Sequence, residues 1–198
     1  MHAGEVRRVS CRTSGLKELE GVIPPYIHHY ISRRYAEHLA LICSGEFQEV
    51  FLISRTLAEV VEALLTNGID PYSAGVYLGR LRKGKPVFVP STNVLQELYQ
   101  VEGVLYNALV VAQEGLKPFL YGGDILRKSV VGCHPPLTKG EVVAVVGTDW
   151  NVYGLGISKI RGCDDLDALK DLEEVAANLF DVGWYIRGEA RRERKYKA

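Results

Sequence analysis

The sequence lacks any segment typical of a membrane span, a secretion signal or a zinc-binding fold. Its 198 residues contain no apolar run near the roughly 20 residues that a membrane-spanning helix needs. The first residues are polar and basic, without the apolar centre of a signal peptide. Four cysteines, Cys11, Cys43, Cys133 and Cys163, form no CxxC pair, which argues against a zinc finger or ribbon. The four could also pair as disulfides, but nothing else indicates secretion, so we expect a soluble, intracellular protein whose cysteines are reduced and mostly buried.

The sequence also has no short catalytic motif such as GxSxG or HExxH. Residues 79–86 have the glycine and lysine spacing of a phosphate-binding P-loop. Pro86, however, occupies the position where a Ser or Thr hydroxyl must bind magnesium, and a strand-like segment follows instead of a helix. His28 and His29 are neighbours on a predicted helix, so they point about 100° apart and cannot chelate one ion together. These patterns predict neither a nucleotide site, nor a cofactor, nor a metal site.

Net charge is absent as well, because 24 Lys and Arg residues balance 24 Asp and Glu residues. Averaged over the chain, this balance argues against a nucleic-acid partner. The charges are nevertheless segregated: residues 80–85 hold four cations and no anion, residues 162–186 hold seven anions and one cation, and residues 187–198 hold six cations. If folding brings the basic stretches together and keeps the acidic stretch away, a neutral protein still presents a positive face.

Residues 1–21 show no sustained hydrophobic period, which predicts an N-terminal extension. Residues 22–103 show the pattern of an α+β domain. Their periodicity predicts helices at 26–42, at 54–65 with Ser54 or Thr56 as the cap, and at 91–99. Strands are predicted at 47–53, 74–81 and 86–89, the last two joined by a basic hairpin tip.

Residues 104–190 show many short strands closed by Gly and Pro, which is typical of a small barrel. The predicted elements are an extended segment at 105–112, a short helix opened by Lys117-Pro118 and ended by Gly122-Gly123, a strand at 125–131, and a hairpin of strands at 141–146 and 152–160. Apolar residues from Leu166 to Leu179 have a helical period, although 175–180 is also compatible with a closing strand. Residues 191–198 form a basic tail.

Three stretches of the barrel segment resemble a PUA domain, the RNA-binding module named after pseudouridine synthases and archaeosine transglycosylases. Residues 117–128 (KPFLYGGDILRK) resemble its first helix, glycine loop and second strand, residues 154–158 its central strand, and residues 181–187 its C-terminal signature. The FLYG form with the following Leu and Lys is similar to the Nip-seven family of large-ribosomal-subunit biogenesis factors, known from archaea and eukaryotes. Residues 53–57 and 78–85 resemble the N-terminal domain of that family, so the resemblance spans roughly residues 23 to 190.

The resemblance implies an α+β fold, in which an N-terminal α/β domain with an antiparallel sheet is followed by a C-terminal PUA pseudobarrel, without catalytic activity. It favours a strand over a helix at 175–180. PUA domains contact RNA along the first helix, the glycine loop and neighbouring strands. The matching positions here, with further cations added from charge and expected proximity, are Lys117, Gly122, Gly123, Arg127, Lys128, Lys159, Arg161, Arg187, and, from charge alone, Arg191 and Arg192.

The glycine pair at residues 122 and 123 has two interpretations. A glycine turn lets a nucleic-acid backbone approach closely and offers amide N–H groups to phosphate. The alternative is an ordinary helix C-cap followed by a turn. An exposed aromatic side chain, such as that of Tyr121, is available for stacking on an unpaired base.

Three functions follow from the sequence. The first is a non-catalytic RNA-binding factor that acts on pre-rRNA during large-subunit biogenesis, in the cytoplasm or in a eukaryotic nucleolus, with ribosome assembly proteins as further partners and no membrane. The second is a protein-docking module of the pre-ribosome that uses the N-terminal domain and the acidic residues 164–174, with incidental RNA contact. The third is an RNA-modifying enzyme or its accessory part, for which about 80 residues remain as a catalytic domain.

Overall fold

The computed structural model of the chain describes residues 10–45, 47–82 and 87–183. The chain divides into two compact units, residues 1–94 and residues 95–198, here called the N-terminal and the C-terminal unit. The predicted domain boundary after residue 103 is not tested by this division into units and stays a prediction.

The N-terminal unit contains an antiparallel five-stranded sheet and two α-helices. The strands are β1 (Ser10–Ser14), β2 (Leu39–Ser44), β3 (Phe47–Ile53), β4 (Val76–Arg82) and β5 (Phe88–Pro90), in the sheet order β1-β2-β3-β4-β5. The helices are α1 (Pro25–Arg34) and α2 (Arg55–Thr66). Ser54 caps α2, because its hydroxyl accepts the Leu57 N–H at 3.2 Å. Ala58 and Val61 of α2 then pack against Leu41 of β2 in the core.

Residues 10–14, expected in an N-terminal extension, instead form the edge strand of this sheet. β1 pairs antiparallel with β2, and Cys11 lies opposite Cys43 in the register. An edge strand with one exposed face needs few apolar residues, since backbone hydrogen bonds to its neighbour hold it. The sequence pattern therefore gave no signal for β1.

The helix predicted at residues 26–42 is too long, and this prediction is wrong at its C-terminal end. α1 ends at Arg34, and residues Leu39–Ser44 form β2, in which four successive residues are buried. Successive residues of a helix point about 100° apart, so four in a row cannot face one core. A central strand covered on both faces buries such a run.

The C-terminal unit contains a six-stranded sheet that curls into a half-barrel. Its strands are β6 (Ala108–Val111), β7 (Ile125–Leu126), β8 (Val130–His134), β9 (Val142–Gly147), β10 (Val152–Ser158) and β11 (Glu174–Asp181), in the order β7-β11-β10-β9-β6-β8. β6 and β9 run parallel, and the other neighbouring strands run antiparallel. Phe119, Val145 and Val175 lie at the centre of its core. The predicted fold class, an antiparallel sheet followed by a pseudobarrel, is confirmed.

Two further helices belong to this part of the chain. They are α3 (Thr92–Glu102), which contains the division between the two units, and α4 (Gln113–Leu120). α4 begins four residues before the predicted start and holds Pro118 in its interior. Gly115 allows this helix to lie close to its neighbour, because a Cβ there would meet the Ser129 Cβ at 2.3 Å. Within the described ranges, no helix has the length and hydropathy required to cross a bilayer.

The strand predicted at residues 125–131 is interrupted. β7 ends at Leu126, a 3-10 helix covers Arg127–Ser129, and β8 begins at Val130. The two strands lie at opposite edges of the sheet, so the short helix carries the chain from one edge to the other. The strand favoured at residues 175–180 is confirmed as β11, and the helical interpretation of residues 166–179 is wrong.

Two disulfides join Cys11 to Cys43 and Cys133 to Cys163. The expectation of reduced cysteines is therefore wrong. That expectation rested on the absence of secretion signals, which says nothing about distances within the fold. The second disulfide ties β8 to the 3-10 helix Cys163–Ala168, which precedes β11.

Candidate nucleic-acid interface

The glycine pair after α4 closes the helix and uses its own backbone amides to do so. Gly122 has a φ of 85°, a left-handed conformation that glycine adopts without strain. Its N–H donates to the Phe119 carbonyl at 2.8 Å, and the Gly123 N–H donates to the Pro118 carbonyl at 2.9 Å. These two bonds form a Schellman motif. The two amides are therefore bonded within the helix C-cap, and RNA contact at Gly122 and Gly123 stays a prediction.

Asn178 of β11 fixes the position of this glycine loop. Its side-chain amide donates to the Phe119 carbonyl at 2.9 Å and to the Gly123 carbonyl at 3.3 Å. Its backbone N–H donates to Asp124 Oδ1 at 2.7 Å. Asn178 was not among the predicted site residues, although a polar residue within the apolar run 175–180 was an available signal.

Lys117 lies on the exposed face of α4, beside the glycine loop. Its neighbours Leu116 and Phe119 are buried in the core, so the lysine side chain extends into solvent. The Lys117 ammonium makes no ion pair with a described residue. Tyr121, the C-cap residue of α4, is 60% exposed. An exposed cation and an exposed aromatic ring thus follow each other within about one helical turn.

Arg127, in contrast, is a structural residue. Its side chain is half-buried, with Nε donating to the Leu166 carbonyl at 2.6 Å and Nη1 to the Val130 carbonyl at 3.3 Å. Its backbone N–H donates to the Glu173 carbonyl at 2.8 Å. The guanidinium therefore holds the segment before β11 in place and has limited capacity left for phosphate.

The segment that Arg127 holds is the acidic one, residues 164–174, here called the acidic arm. It contacts three further predicted cations as well. The Lys128 N–H donates to the Asp171 carbonyl at 3.0 Å, and the Arg161 N–H donates to Asp165 Oδ2 at 2.8 Å. The Lys159 ammonium forms an ion pair with the Glu174 carboxylate.

The structure thus brings four predicted cations together at the start of β11. In the register, Leu126 lies opposite Glu174 and Ser158 opposite Ala176, so the residues following Leu126 and Ser158 flank the same strand. The acidic arm lies among these cations and lowers the positive potential there. Lys117 is adjacent to the glycine loop, and its side chain makes no described hydrogen bond or ion pair with the arm. The cations whose side chains make no described contact are Lys117, Lys128 and Arg161.

Several other predicted residues lie outside the described part of the chain. Arg187, Arg191 and Arg192 belong to this group, as do Lys83 and Lys85 of the basic hairpin tip. Arg80 of that hairpin is described, and its guanidinium lies 4.6 Å from the centre of the Phe47 ring.

Comparison with solved structures shows that similar folds are known. A hypothetical protein of the hyperthermophilic archaeon Pyrococcus horikoshii superposes with a TM-score of 0.60 over 89% of this chain and 98% of its own, at 13% identity. A conserved PUA domain protein from Thermoplasma acidophilum superposes with a TM-score of 0.57 over 89% of this chain and 97% of its own, at 12% identity. At such identities the likeness shows the fold alone.

Sequence comparison assigns the C-terminal unit. No curated protein has a sequence significantly similar to this chain. Residues 107–190, however, match the family described as the UPF0113 PUA domain. This range contains the whole half-barrel sheet, the glycine loop and the acidic arm. Residues 107–190 are therefore a PUA domain, which is a general RNA-binding module.

Proposed function

We propose that this protein is a non-catalytic RNA-binding factor that acts on pre-rRNA in the assembly of the large ribosomal subunit. The observation that carries RNA binding is the PUA domain at residues 107–190, which presents exposed cations beside its glycine loop. The choice of pre-rRNA rests on the sequence resemblance to the Nip-seven family. Ribosome assembly proteins are further partners in this proposal.

Some of the predicted cations have side chains available to phosphate, and others already have partners within the fold. Lys117, Lys128 and Arg161 are exposed and their side chains make no described contact. Lys159 becomes available when a phosphate replaces the Glu174 carboxylate as its partner. Arg127 keeps its carbonyl partners. With three or four phosphate contacts, log affinity for single-stranded RNA should fall against log salt with a slope of about −2 to −3.

The test measures the binding of fluorescently labelled single-stranded RNA across a salt series. Replacing Lys117 and Lys128 together by Ala should weaken binding to all RNA sequences and reduce the slope by about 1.4, since each contact contributes about −0.7. The matched control replaces Lys17 and Arg55, two exposed cations of the N-terminal unit, and should leave both quantities unchanged. A slope near zero for the wild-type protein, or equal losses in both double variants, would contradict the proposed face.

The RNA target requires a separate experiment in the source cell. Ultraviolet crosslinking followed by sequencing of the attached RNA should recover precursors of the large-subunit rRNA. Crosslinks confined to other RNA classes would overturn the pre-rRNA part of the proposal and leave RNA binding standing. Mass spectrometry of the crosslinked peptides should recover peptides that contain Lys117 or Lys128.

One observation favours the second candidate, a protein-docking module. Leu172 is 70% exposed and lies between Asp171 and Glu173 in the acidic arm. An exposed leucine among carboxylates suits a partner that combines an apolar pocket with basic residues. Under this alternative, a protein partner stays bound after nuclease treatment and is lost on Leu172→Ser, while binding to isolated RNA is negligible.

A further inference from the structure

The tight turn between β9 and β10 holds a tryptophan in a strained conformation at the surface. Trp150 has a φ of 63°, a region that bulky residues rarely occupy. Its side chain is 40% exposed. A bulky residue in a left-handed conformation costs free energy, and such strain is concentrated at functional positions.

The surrounding side chains enforce this conformation. Gln96 of α3 clamps the turn from both sides: its Nε2 donates to the Trp150 carbonyl at 3.3 Å, and its Oε1 accepts the Val152 N–H at 2.7 Å. Asp149 Oδ1 accepts the Asn151 N–H at 3.2 Å. The Trp150 N–H donates to the Gly147 carbonyl at 3.0 Å. The turn is therefore fixed at every residue around the indole.

Two neighbouring aromatic rings contact the indole of Trp150. The Tyr99 ring of α3 stacks on it with the ring centres 5.3 Å apart and an angle of 11° between the planes. The His134 ring at the end of β8 meets it nearly edge-on at 5.7 Å. We define Tyr99, His134 and Trp150 as the aromatic platform. Three separate elements converge to build it, all within the C-terminal unit.

A second residue of left-handed backbone conformation lies near His134 in the sheet register. Asn107, with a φ of 54°, is the other non-glycine residue of positive φ in the described ranges. It directly precedes Ala108, which is the register partner of His134. Both left-handed non-glycine residues of the described chain therefore occur around one exposed aromatic surface.

The platform is separate in position from the cations at the start of β11. Trp150 precedes the first residue of β10, whereas Lys159 follows the last, and seven residues of strand span roughly 20 Å. The charged group beside the indole is the Asp149 carboxylate, whose Oδ2 already accepts the Tyr153 hydroxyl at 2.8 Å. The platform therefore suits an uncharged planar ligand and disfavours a phosphate.

We infer that Trp150, supported by Tyr99, stacks on an unpaired nucleobase of RNA bound to this protein. The inference rests on the proposed RNA-binding function and adds a base contact to the phosphate contacts of the cationic face. A rigid, partly exposed indole gives a flat surface at low entropic cost, and every base has a face to stack on it. The site favours unpaired segments, because a paired base hides its faces within the helix.

The test uses fluorescence from Trp150 alone. Trp184→Phe removes the second of the two tryptophans in the chain. This protein is titrated with a short oligoadenylate and with a ribose-phosphate oligomer of the same length that lacks bases. We expect the oligoadenylate to quench Trp150 emission and the base-free oligomer to leave it unchanged. Quenching by neither oligomer, while anisotropy shows both bound, would overturn the inference.

Two substitutions test the same point through affinity. Trp150→Asn suits the left-handed backbone and should weaken oligoadenylate binding about 5- to 100-fold, to the level of the base-free oligomer. Trp150→Phe keeps an aromatic face and should retain most of the affinity. Thermal melting tests whether both variants are folded. If Trp150→Asn is unfolded, the affinity of Trp150→Phe and the fluorescence titration test the base-stacking site instead.

The outcomes separate this inference from the proposed function. Steep salt dependence with equal affinity for the two oligomers, or unchanged oligoadenylate affinity in Trp150→Asn, overturns the base-stacking site alone. Absence of any RNA binding by the wild-type protein overturns both. A Trp150→Asn variant that loses base discrimination but keeps the wild-type salt slope supports both.

Discussion

At the scale of single residues, Arg127 and Lys128 are adjacent cations whose side chains have different partners. The Arg127 guanidinium bonds to two backbone carbonyls, whereas the Lys128 side chain is exposed and makes no described contact. Arginine carries five N–H donors in a rigid fork, which suits it to binding several carbonyls at once. We therefore expect Arg127 to contribute to the stability of the fold and Lys128 to RNA binding, and two single variants can test this.

Arg127→Ala should lower the free energy of unfolding by about 1–3 kcal/mol, because the carbonyls of Leu166 and Val130 lose a charged donor. Lys128→Ala should change it by less than about 0.5 kcal/mol, as is usual for an exposed side chain, and should weaken RNA binding instead. Urea unfolding monitored by circular dichroism measures the first quantity. Equal stability of the two variants would show that the carbonyl contacts of Arg127 contribute nothing.

The Asp149 carboxyl makes the stability of the turn that contains Trp150 depend on pH. Partial burial alone would raise the pKa of the Asp149 carboxyl, but hydrogen bonds from Asn151 and Tyr153 outweigh it, and its pKa lies below its ordinary value. A carboxyl with a lowered pKa in the folded state stabilises the fold above its ordinary pKa, and this stabilisation is lost as the pH falls through the folded value.

The destabilisation caused by Asp149→Asn should therefore be full at about pH 6 and should shrink below about pH 4. Urea unfolding of the variant and the wild type at both pH values measures it. Asp164→Asn, at an exposed carboxylate whose side chain makes no described contact, serves as the control and should show no such change. A destabilisation by Asp149→Asn that is equal at both pH values would assign the effect to packing.

At the scale of elements, the acidic arm decides how much of the cationic face is available. It runs from the 3-10 helix Cys163–Ala168 to the first residue of β11 and contacts Arg127, Lys128, Lys159 and Arg161. The disulfide between Cys133 and Cys163 ties its beginning to β8. The arm therefore pairs its carboxylate charge with the Lys159 side chain through Glu174, whereas it contacts Lys128 and Arg161 through their backbone amides.

Glu174→Gln should raise RNA affinity about two- to fivefold at low salt, because it frees the Lys159 ammonium from an exposed ion pair. The increase should diminish as salt rises. Glu59→Gln on α2 removes the same charge from an exposed position of the N-terminal unit and should have a smaller effect. A decrease in affinity for Glu174→Gln would show that the ion pair orders Lys159 for binding.

The elements also show where sequence patterns succeed. Strand β3 and the hairpin of β9 and β10 were predicted, because alternating apolar residues and turn residues lie close together in the sequence. The strand β11 was favoured by the family resemblance, against the helical period of its own residues. β1 and the boundary between α1 and β2 were not predicted. Their conformation depends on which strand lies beside them, and that information is absent from a local window.

At the scale of the whole molecule, zero net charge coexists with a PUA domain, a general RNA-binding module. The sequence showed that basic and acidic stretches are separate along the chain. It gave no information on whether they are separate in space. The structure places the acidic arm among the cations. The positive potential of the cationic face is therefore lower than the separation of basic and acidic stretches along the chain indicated.

The sequence alone determined the fold class, the PUA resemblance and the glycine loop, because these depend on hydrophobic period and on residues adjacent in the chain. The tertiary structure decided which cations remain available, that the glycine amides are internally bonded, and that Tyr99, His134 and Trp150 meet. The physical reason is that hydrogen bonding, ion pairing and ring stacking act over a few ångströms, and residues as far apart in the chain as Tyr99 and Trp150 reach that distance only after the chain has folded.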